Sequence, residues 1–233
     1  SHDAEKVVET LVERLDDPDD SVRLQAASSL ARLGPAAAKE LEQALASDDP
    51  AVQAIAIRGL ADLDQISGSA VEQVVALAEN ASEPSLRADA VVVLPRLGMS
   101  KESLVARLTD AAFDEDAEVR RAAAFALRRM GREASSAVAP LANELENSKP
   151  SRRLAAAYAL GAMGEVSVSA VPRIIEVLGM SNDPHERDVY SDALRRIGPA
   201  VVSEILLASS QRPQAARVYS EAIASFGANA VDP

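Results

Sequence analysis

The stretch DPDDSVRLQAASSLARLG, residues 17–34, contains an acidic turn, apolar residues at helical spacing and a closing glycine. The same order returns at residues 114–131 as DEDAEVRRAAAFALRRMG. Seven turn residues recur at intervals of 29 to 34 residues: Asp20, Pro50, Pro84, Ala117, Pro150, Pro184 and Pro213. A break residue follows each of them fourteen residues later: Gly34, Asp64, Gly98, Gly131, Gly164, Gly198 and Gly227. A repeated period of this size predicts a stack of similar supersecondary units.

Counting each repeat from its turn residue as position zero aligns two apolar columns. Position +10 holds Leu30, Leu60, Leu94, Leu127, Leu160, Leu194 and Ile223. Position +6 holds Ala26, Ala56, Ala90, Ala123, Ala156, Tyr190 and Tyr219. Such spacing places both columns on one stripe of a helix, which we call helix B and predict from about +1 to +13. Proline suits its first turn, and glycine at +14 suits a left-handed closing residue, a conformation that Asp64 also tolerates.

A second apolar stretch, helix A, precedes each turn. Val7, Val8, Leu11 and Leu15 form the first of these stretches, and Leu141 and Leu145 belong to a later one. Because neither helix can bury its apolar stripe alone, the pairs must stack. The sequence therefore predicts an all-α chain of about seven antiparallel helix pairs, in one array over residues 1–233. The repeats run at about 4–34, 35–64, 69–98, 100–131, 133–164, 166–198 and 199–227.

Composition narrows the classes of function. The net charge is −12, which disfavours nucleic acids and anionic membranes as partners, although residues 117–165 carry eight basic and five acidic side chains. The sequence contains no cysteine and no apolar run near the length of a membrane span, so we expect a soluble chain, with a cytoplasmic location preferred. Residues 227–233 resemble a link into another helix A, so we expect the natural protein to continue beyond Pro233.

Residues 17–34 and 114–131 resemble the HEAT repeat signature. The segment AVPRIIEVL, residues 170–178, is similar to the first helix of the HEAT-like repeats of the phycobilisome lyase type. The resemblance extends over essentially the whole chain. It implies a right-handed α-solenoid, a superhelix whose concave side is formed by the B helices. It also implies a binding scaffold, although a fold of this kind does not specify its partner.

An arginine column stands at position +3: Arg23, Arg87, Arg120, Arg153 and Arg187. Position +3 lies at the edge of the apolar stripe, near the turn acids Asp17, Asp49, Glu83, Asp116 and Asp183. Because arginine forks match carboxylates, we interpret the column as a polar ladder between repeats that sets their stacking register. Arginines pointing into solvent would contradict this interpretation.

Position +8 lies opposite the core stripe and should face the concave surface. Aromatic and aliphatic side chains meet arginines in and beside this column, a composition enriched at protein interfaces. The hypothesis is a partner-binding face made by Val92, Arg121, Phe125, Arg128, Leu154, Tyr158, Asp192 and Arg195. The alternative is that these are ordinary exposed residues without a binding role.

Three further functions are compatible with parts of the sequence. The resemblance to phycobilisome lyases leaves open a bilin lyase-like subunit that handles a tetrapyrrole in the same groove. A basic cluster between Arg120 and Arg153 leaves open nucleic-acid binding, against which the overall acidity stands. Catalysis has little support, because His2 and His185 are the only histidines and the acids beside His185 suit a helix start. We therefore expect a protein- or peptide-binding scaffold that is not an enzyme and needs no cofactor or metal.

Overall fold

A computed structural model describes residues 2–15, 17–63 and 66–227, and these residues form fourteen α-helices and no strand. The helices alternate as A and B, which confirms the all-α fold and the seven predicted pairs. The A helices are α1 His2–Glu13, α3 Ala38–Ala44, α5 Gly68–Asn80, α7 Lys101–Ala111, α9 Val138–Glu144, α11 Val171–Met180 and α13 Val202–Gln211. The B helices are α2 Asp20–Leu33, α4 Pro50–Ala61, α6 Pro84–Val93, α8 Ala117–Met130, α10 Pro150–Met163, α12 Pro184–Ile197 and α14 Ala216–Ala224.

The turn residues start the B helices, as their chemistry predicts. Proline is the first residue of α4, α6, α10 and α12, where its missing N–H breaks no helical hydrogen bond. An aspartate side chain caps four of the seven B helices by accepting a backbone N–H two residues later: Asp19, Asp49, Asp116 and Asp183. The last pair differs from the prediction, because Pro213 begins a 3₁₀ turn and α14 starts at Ala216.

The break glycines all have positive φ angles: Gly34, Gly98, Gly131, Gly164, Gly198 and Gly227. Gly34 has φ 58° and ψ −129°, and Gly131 has φ 55° and ψ −130°. These values lie in the mirror image of the β region rather than in the left-handed helical region. The predicted left-handed helical conformation of the closing glycine was therefore wrong. A side chain is far more costly there, which removes the argument that Asp substitutes easily. Asp64 itself lies outside the described residues.

The predicted apolar columns form the core. All seven side chains at +6 are buried, and at +10 only Ile223 is partly exposed. Tyr190 and Tyr219, which replace alanine at +6, are 1% and 0% exposed. The Tyr219 ring lies where a Cβ of residue 179 would project, so the absence of a side chain at Gly179 makes room for it. The two departures from the repeat pattern are therefore core residues.

Contacts divide the chain into two compact units, Ser1–Ser100 and Lys101–Pro233. The N-terminal unit holds the first three helix pairs and the C-terminal unit holds the last four. The single continuous array and its right-handed superhelix stay predictions.

One helical stretch, Pro150–Met180, has the length and composition of a membrane span, with a mean hydropathy of 1.4. No such stretch was predicted from the sequence. It consists of α10, a 3₁₀ segment and α11, with Gly164 at φ 64° between the two helices. Of the most apolar window, 56% is buried inside the protein, as in the core helices of a folded repeat.

Candidate binding groove

The arginines at +3 brace the turn between helices A and B. Arg23, Arg87, Arg120 and Arg153 each donate to the backbone carbonyl six residues earlier. The donor–acceptor distances are 2.8, 2.7, 2.8 and 2.9 Å, respectively. Carboxylate partners were predicted from the sequence, whereas this recurring main-chain contact was not. It satisfies carbonyls that the turn leaves without a helical donor.

Two of these arginines also reach the next helix pair. Arg23 Nε donates to Asp49 Oδ2 at 2.9 Å, and Arg153 pairs with Glu186. Glu186 is 6% exposed and also accepts a hydrogen bond from Ser181 Oγ at 2.9 Å. The hydrogen bond to Glu186 raises the pKa of the Arg153 guanidinium. The ladder is therefore confirmed at Arg23 and Arg153, where it links successive pairs.

A groove of about 640 Å³ lies across three successive B helices of the C-terminal unit. Helix α8 contributes positions +4, +8 and +11, which fall within about 60° of one another on a helix. Helices α10 and α12 complete the groove with an aromatic residue and two arginines. Its principal side chains are Arg121, Phe125, Arg128, Tyr158, Arg195 and Arg196.

The close approach of α10 and α12 closes one wall of the groove. Gly161 of α10 lines the groove, and a Cβ there would come within 2.7 Å of Ala193 Cα on α12. Met163 and Gly164 continue this wall, together with Ile197 and Gly198. The groove therefore depends on small residues at the crossing as well as on the side chains that face it.

One arginine guanidinium lies close to each of the two aromatic rings. The Arg129 guanidinium lies 5.8 Å from the centre of the Phe125 ring, and the Arg196 guanidinium lies 5.7 Å from that of Tyr158. These are cation–π distances, and Phe125 is nevertheless 53% exposed. The rings thus present apolar surface within a positively charged rim.

Three of the lining arginines have acidic partners. Asp192 pairs with Arg195 and, at 2.6 Å, with Arg196 Nε, whereas Arg121 lies 3.6 Å from Glu118. Over the described part of the chain, Arg128 forms no ion pair. The groove therefore contains a guanidinium whose hydrogen-bonding capacity is open to a partner.

The groove unites five of the eight predicted site residues: Arg121, Phe125, Arg128, Tyr158 and Arg195. Asp192 contributes through its arginine partners and lines an adjoining pocket of about 310 Å³. Leu154 is half-buried on α10 and does not line the groove. Val92 is 53% exposed on α6, in the N-terminal unit.

Arg196 and Gly161 were absent from the predicted set. Arg196 stands at +12, one residue beyond the column that faces the groove, and its side chain reaches over Tyr158. A signal for Gly161 exists in the sequence, since glycine inside a predicted helix suggests a close backbone approach.

The basic residues between Arg120 and Arg153, which left nucleic-acid binding open, lie at different places in the structure. Arg120 and Arg153 are hydrogen-bonded to turn carbonyls. Arg152 pairs with Glu144 at 2.7 Å and stacks at 4.3 Å from the Phe113 ring centre. Only Arg121 and Arg128 of this cluster line the groove. At His185, the other residue considered for chemistry, the backbone N–H donates to Asp183 Oδ1 at 2.9 Å, in agreement with the interpretation of this segment as a helix start.

Comparisons with known proteins establish the class to which this helical repeat chain belongs. A sequence profile of HEAT repeats matches residues 8–94, 71–161 and 102–191. The chain therefore belongs to the HEAT repeat family and is a HEAT repeat α-solenoid scaffold. No curated protein matches it.

Several solved structures are similar to this chain. The Cnd3–Cnd2 subcomplex of S. pombe condensin matches with a TM-score of 0.56 and 18% identity, over 98% of this chain and 33% of that one. A designed armadillo repeat protein in complex with the peptide (KR)4 has a TM-score of 0.44 and 16% identity, over 82% and 99%. The CpcE–CpcF complex of Nostoc phycocyanin lyase has a TM-score of 0.34 and 18% identity, over 81% and 98%.

Proposed function

We propose that this protein is a non-enzymatic scaffold that binds a peptide or protein segment in the groove of α8, α10 and α12. The observation that carries the proposal is the convergence of Phe125, Tyr158 and four arginines from three helices on one groove of about 640 Å³. Exposed aromatic and arginine side chains are the residues most enriched where binding energy concentrates at interfaces.

The Phe125 side chain contributes little to the core. It is 53% exposed, whereas Tyr158 is partly buried and the neighbouring core residues Leu127 and Leu160 are fully buried. The exposed Phe125 ring is apolar surface in a shaped groove, which is the kind of surface that a binding partner covers.

The test compares a Phe125→Ala, Tyr158→Ala double variant with the parent protein in selection against a random displayed-peptide library. We expect the parent to enrich peptides that the double variant does not retain, while the unfolding midpoints differ little. The matched control is Leu206→Ala, Leu207→Ala, which removes two side chains of α13 that are 56% and 59% exposed and lie outside the groove. Equal retention by the groove variant, or a large loss of its stability, would refute the proposal.

The tetrapyrrole alternative stays a prediction. It requires a new visible absorbance band when the purified protein is mixed with a bilin. Nucleic-acid binding likewise stays a prediction, and it requires affinity that falls steeply with salt.

A further inference from the structure

We infer that the segment bound in this groove is acidic: an extended peptide whose Asp or Glu carboxylates meet the arginines while an apolar side chain covers Phe125 and Tyr158. The inference rests on the proposed function and adds the chemical class of the partner.

The charge distribution of the groove supports it. Arg121, Arg128, Arg195 and Arg196 line the groove with one acidic residue, Glu165. The chain as a whole carries a net charge of −12. An acidic segment is therefore repelled by most of this protein and attracted to this location, which favours one register over others.

The hydrogen-bonding capacity of the guanidinium groups points the same way. Arg128 has no ion pair among residues 2–15, 17–63 and 66–227, and one carboxylate, Asp192, serves both Arg195 and Arg196. A guanidinium offers five N–H donors in a planar fork that matches a carboxylate. The donors left over are suited to carboxylates supplied by a partner.

The dimensions of the groove suit an extended chain. Successive helices pack about 8–10 Å apart, so the distance from α8 to α12 corresponds to about six residues in an extended conformation. Phe125 and Tyr158 occupy the same position, +8, on neighbouring helices. An extended peptide crossing the helices thus meets Phe125 and two arginines on α8, Tyr158 on α10 and two arginines on α12.

The experiment measures fluorescence anisotropy with three labelled twelve-residue peptides that repeat Glu-Glu-Leu, Gln-Gln-Leu or Lys-Lys-Leu. We expect the acidic peptide to bind at low salt, the neutral peptide to bind about ten-fold or more weakly, and the affinity for the acidic peptide to fall as salt is added. Arg128→Gln should weaken the acidic peptide about ten-fold and leave the neutral one unchanged.

The matched control is Arg173→Gln, which changes the net charge equally at a residue of α11 that pairs with Glu146 and does not line the groove. It should leave all three affinities unchanged. Absence of acidic-peptide binding at low salt, or an effect of Arg173→Gln equal to that of Arg128→Gln, would overturn the inference. If the neutral peptide binds equally well and still depends on Phe125 and Tyr158, the acidic inference fails while the proposed function stands.

Discussion

Replacing Gly161 by alanine should push α10 and α12 apart and disturb the groove that they share. The added Cβ would lie 2.7 Å from Ala193 Cα and 3.1 Å from Ala193 Cβ. Real Cβ atoms do not approach so closely, and the obstruction is backbone rather than the end of a flexible side chain. The two helices must therefore move for the methyl group to fit.

The net cost is the balance of two effects. Overpacking of a close core contact costs about 1–3 kcal/mol, and alanine in place of glycine in a helix interior recovers about 1 kcal/mol. Because the obstructing atom is a Cα, we take the upper part of the overpacking range and expect a net loss of about 2 kcal/mol. The free energy of unfolding is measured from urea titrations followed by circular dichroism, with amide exchange in α10 and α12 locating the effect.

Gly68→Ala is the matched control, because no atom lies within 4 Å of the Cβ it would add and its backbone needs no positive φ. This variant should be neutral or more stable by up to about 1 kcal/mol. Since Gly161 lines the groove, Gly161→Ala should also weaken peptide binding. A Gly161→Ala protein as stable as the parent, with unchanged amide exchange, would show that the crossing tolerates a methyl group and that this reasoning is wrong.

Three further predictions concern the core, the arginine ladder at position +3 and the loss of stability at acidic pH. Leu160→Ala, at a fully buried position, should cost about 2–5 kcal/mol in urea titrations, whereas the exposed Leu206→Ala should change little. Arg153→Met should cost about 3 kcal/mol in urea titrations, because it leaves Glu186 buried without its ion-pair partner and removes the hydrogen bond to Asn147 O. The double replacement Arg153→Met, Glu186→Leu should recover the part of that loss that comes from the buried charge, and a double variant no better than the single one would contradict this account. Burial raises the pKa of Asp49, but the backbone N–H of Ala51 and the Arg23 guanidinium together outweigh burial and lower that pKa below its ordinary value of 3.8. The contribution of the Asp49 carboxylate to the free energy of unfolding is present above its ordinary pKa and is lost as the pH falls through the lowered folded-state pKa. The Asp49→Asn variant should therefore lose less stability than the parent protein on acidification.

The repeat architecture was predictable because it depends on local chemistry that recurs. Proline at Pro50, Pro84, Pro150 and Pro184 begins a B helix in each case, and the +6 and +10 columns are buried. The last helix pair was less predictable, because Pro213 opens a 3₁₀ turn and the helix starts three residues later. Where the local signal weakens, packing decides the boundary.

The candidate site was predictable in part. Helical spacing alone placed Arg121, Phe125 and Arg128 on one face of α8, and these three side chains do line one groove. The predicted site also included Leu154, which the packing of α10 leaves half-buried outside the groove. Arg196 was not in the predicted site, although its long side chain reaches Tyr158 from a position beside the expected column. The direction of a flexible side chain depends on its neighbours and not on its spacing.

By itself, the sequence determined the helix pairs, the proline starts of four B helices and the buried columns, because each depends on residue types that recur at a fixed spacing. Only the tertiary structure decided which partners the arginines take. Arg23 donates to both Asp17 O and Asp49 Oδ2, and the second contact depends on how closely the next helix pair packs. Tertiary packing also decided that Gly161 approaches Ala193, and so that Tyr158, Arg195 and Arg196 share one groove. A sequence fixes the face that a side chain occupies, whereas contact across helices depends on how closely their backbones pack.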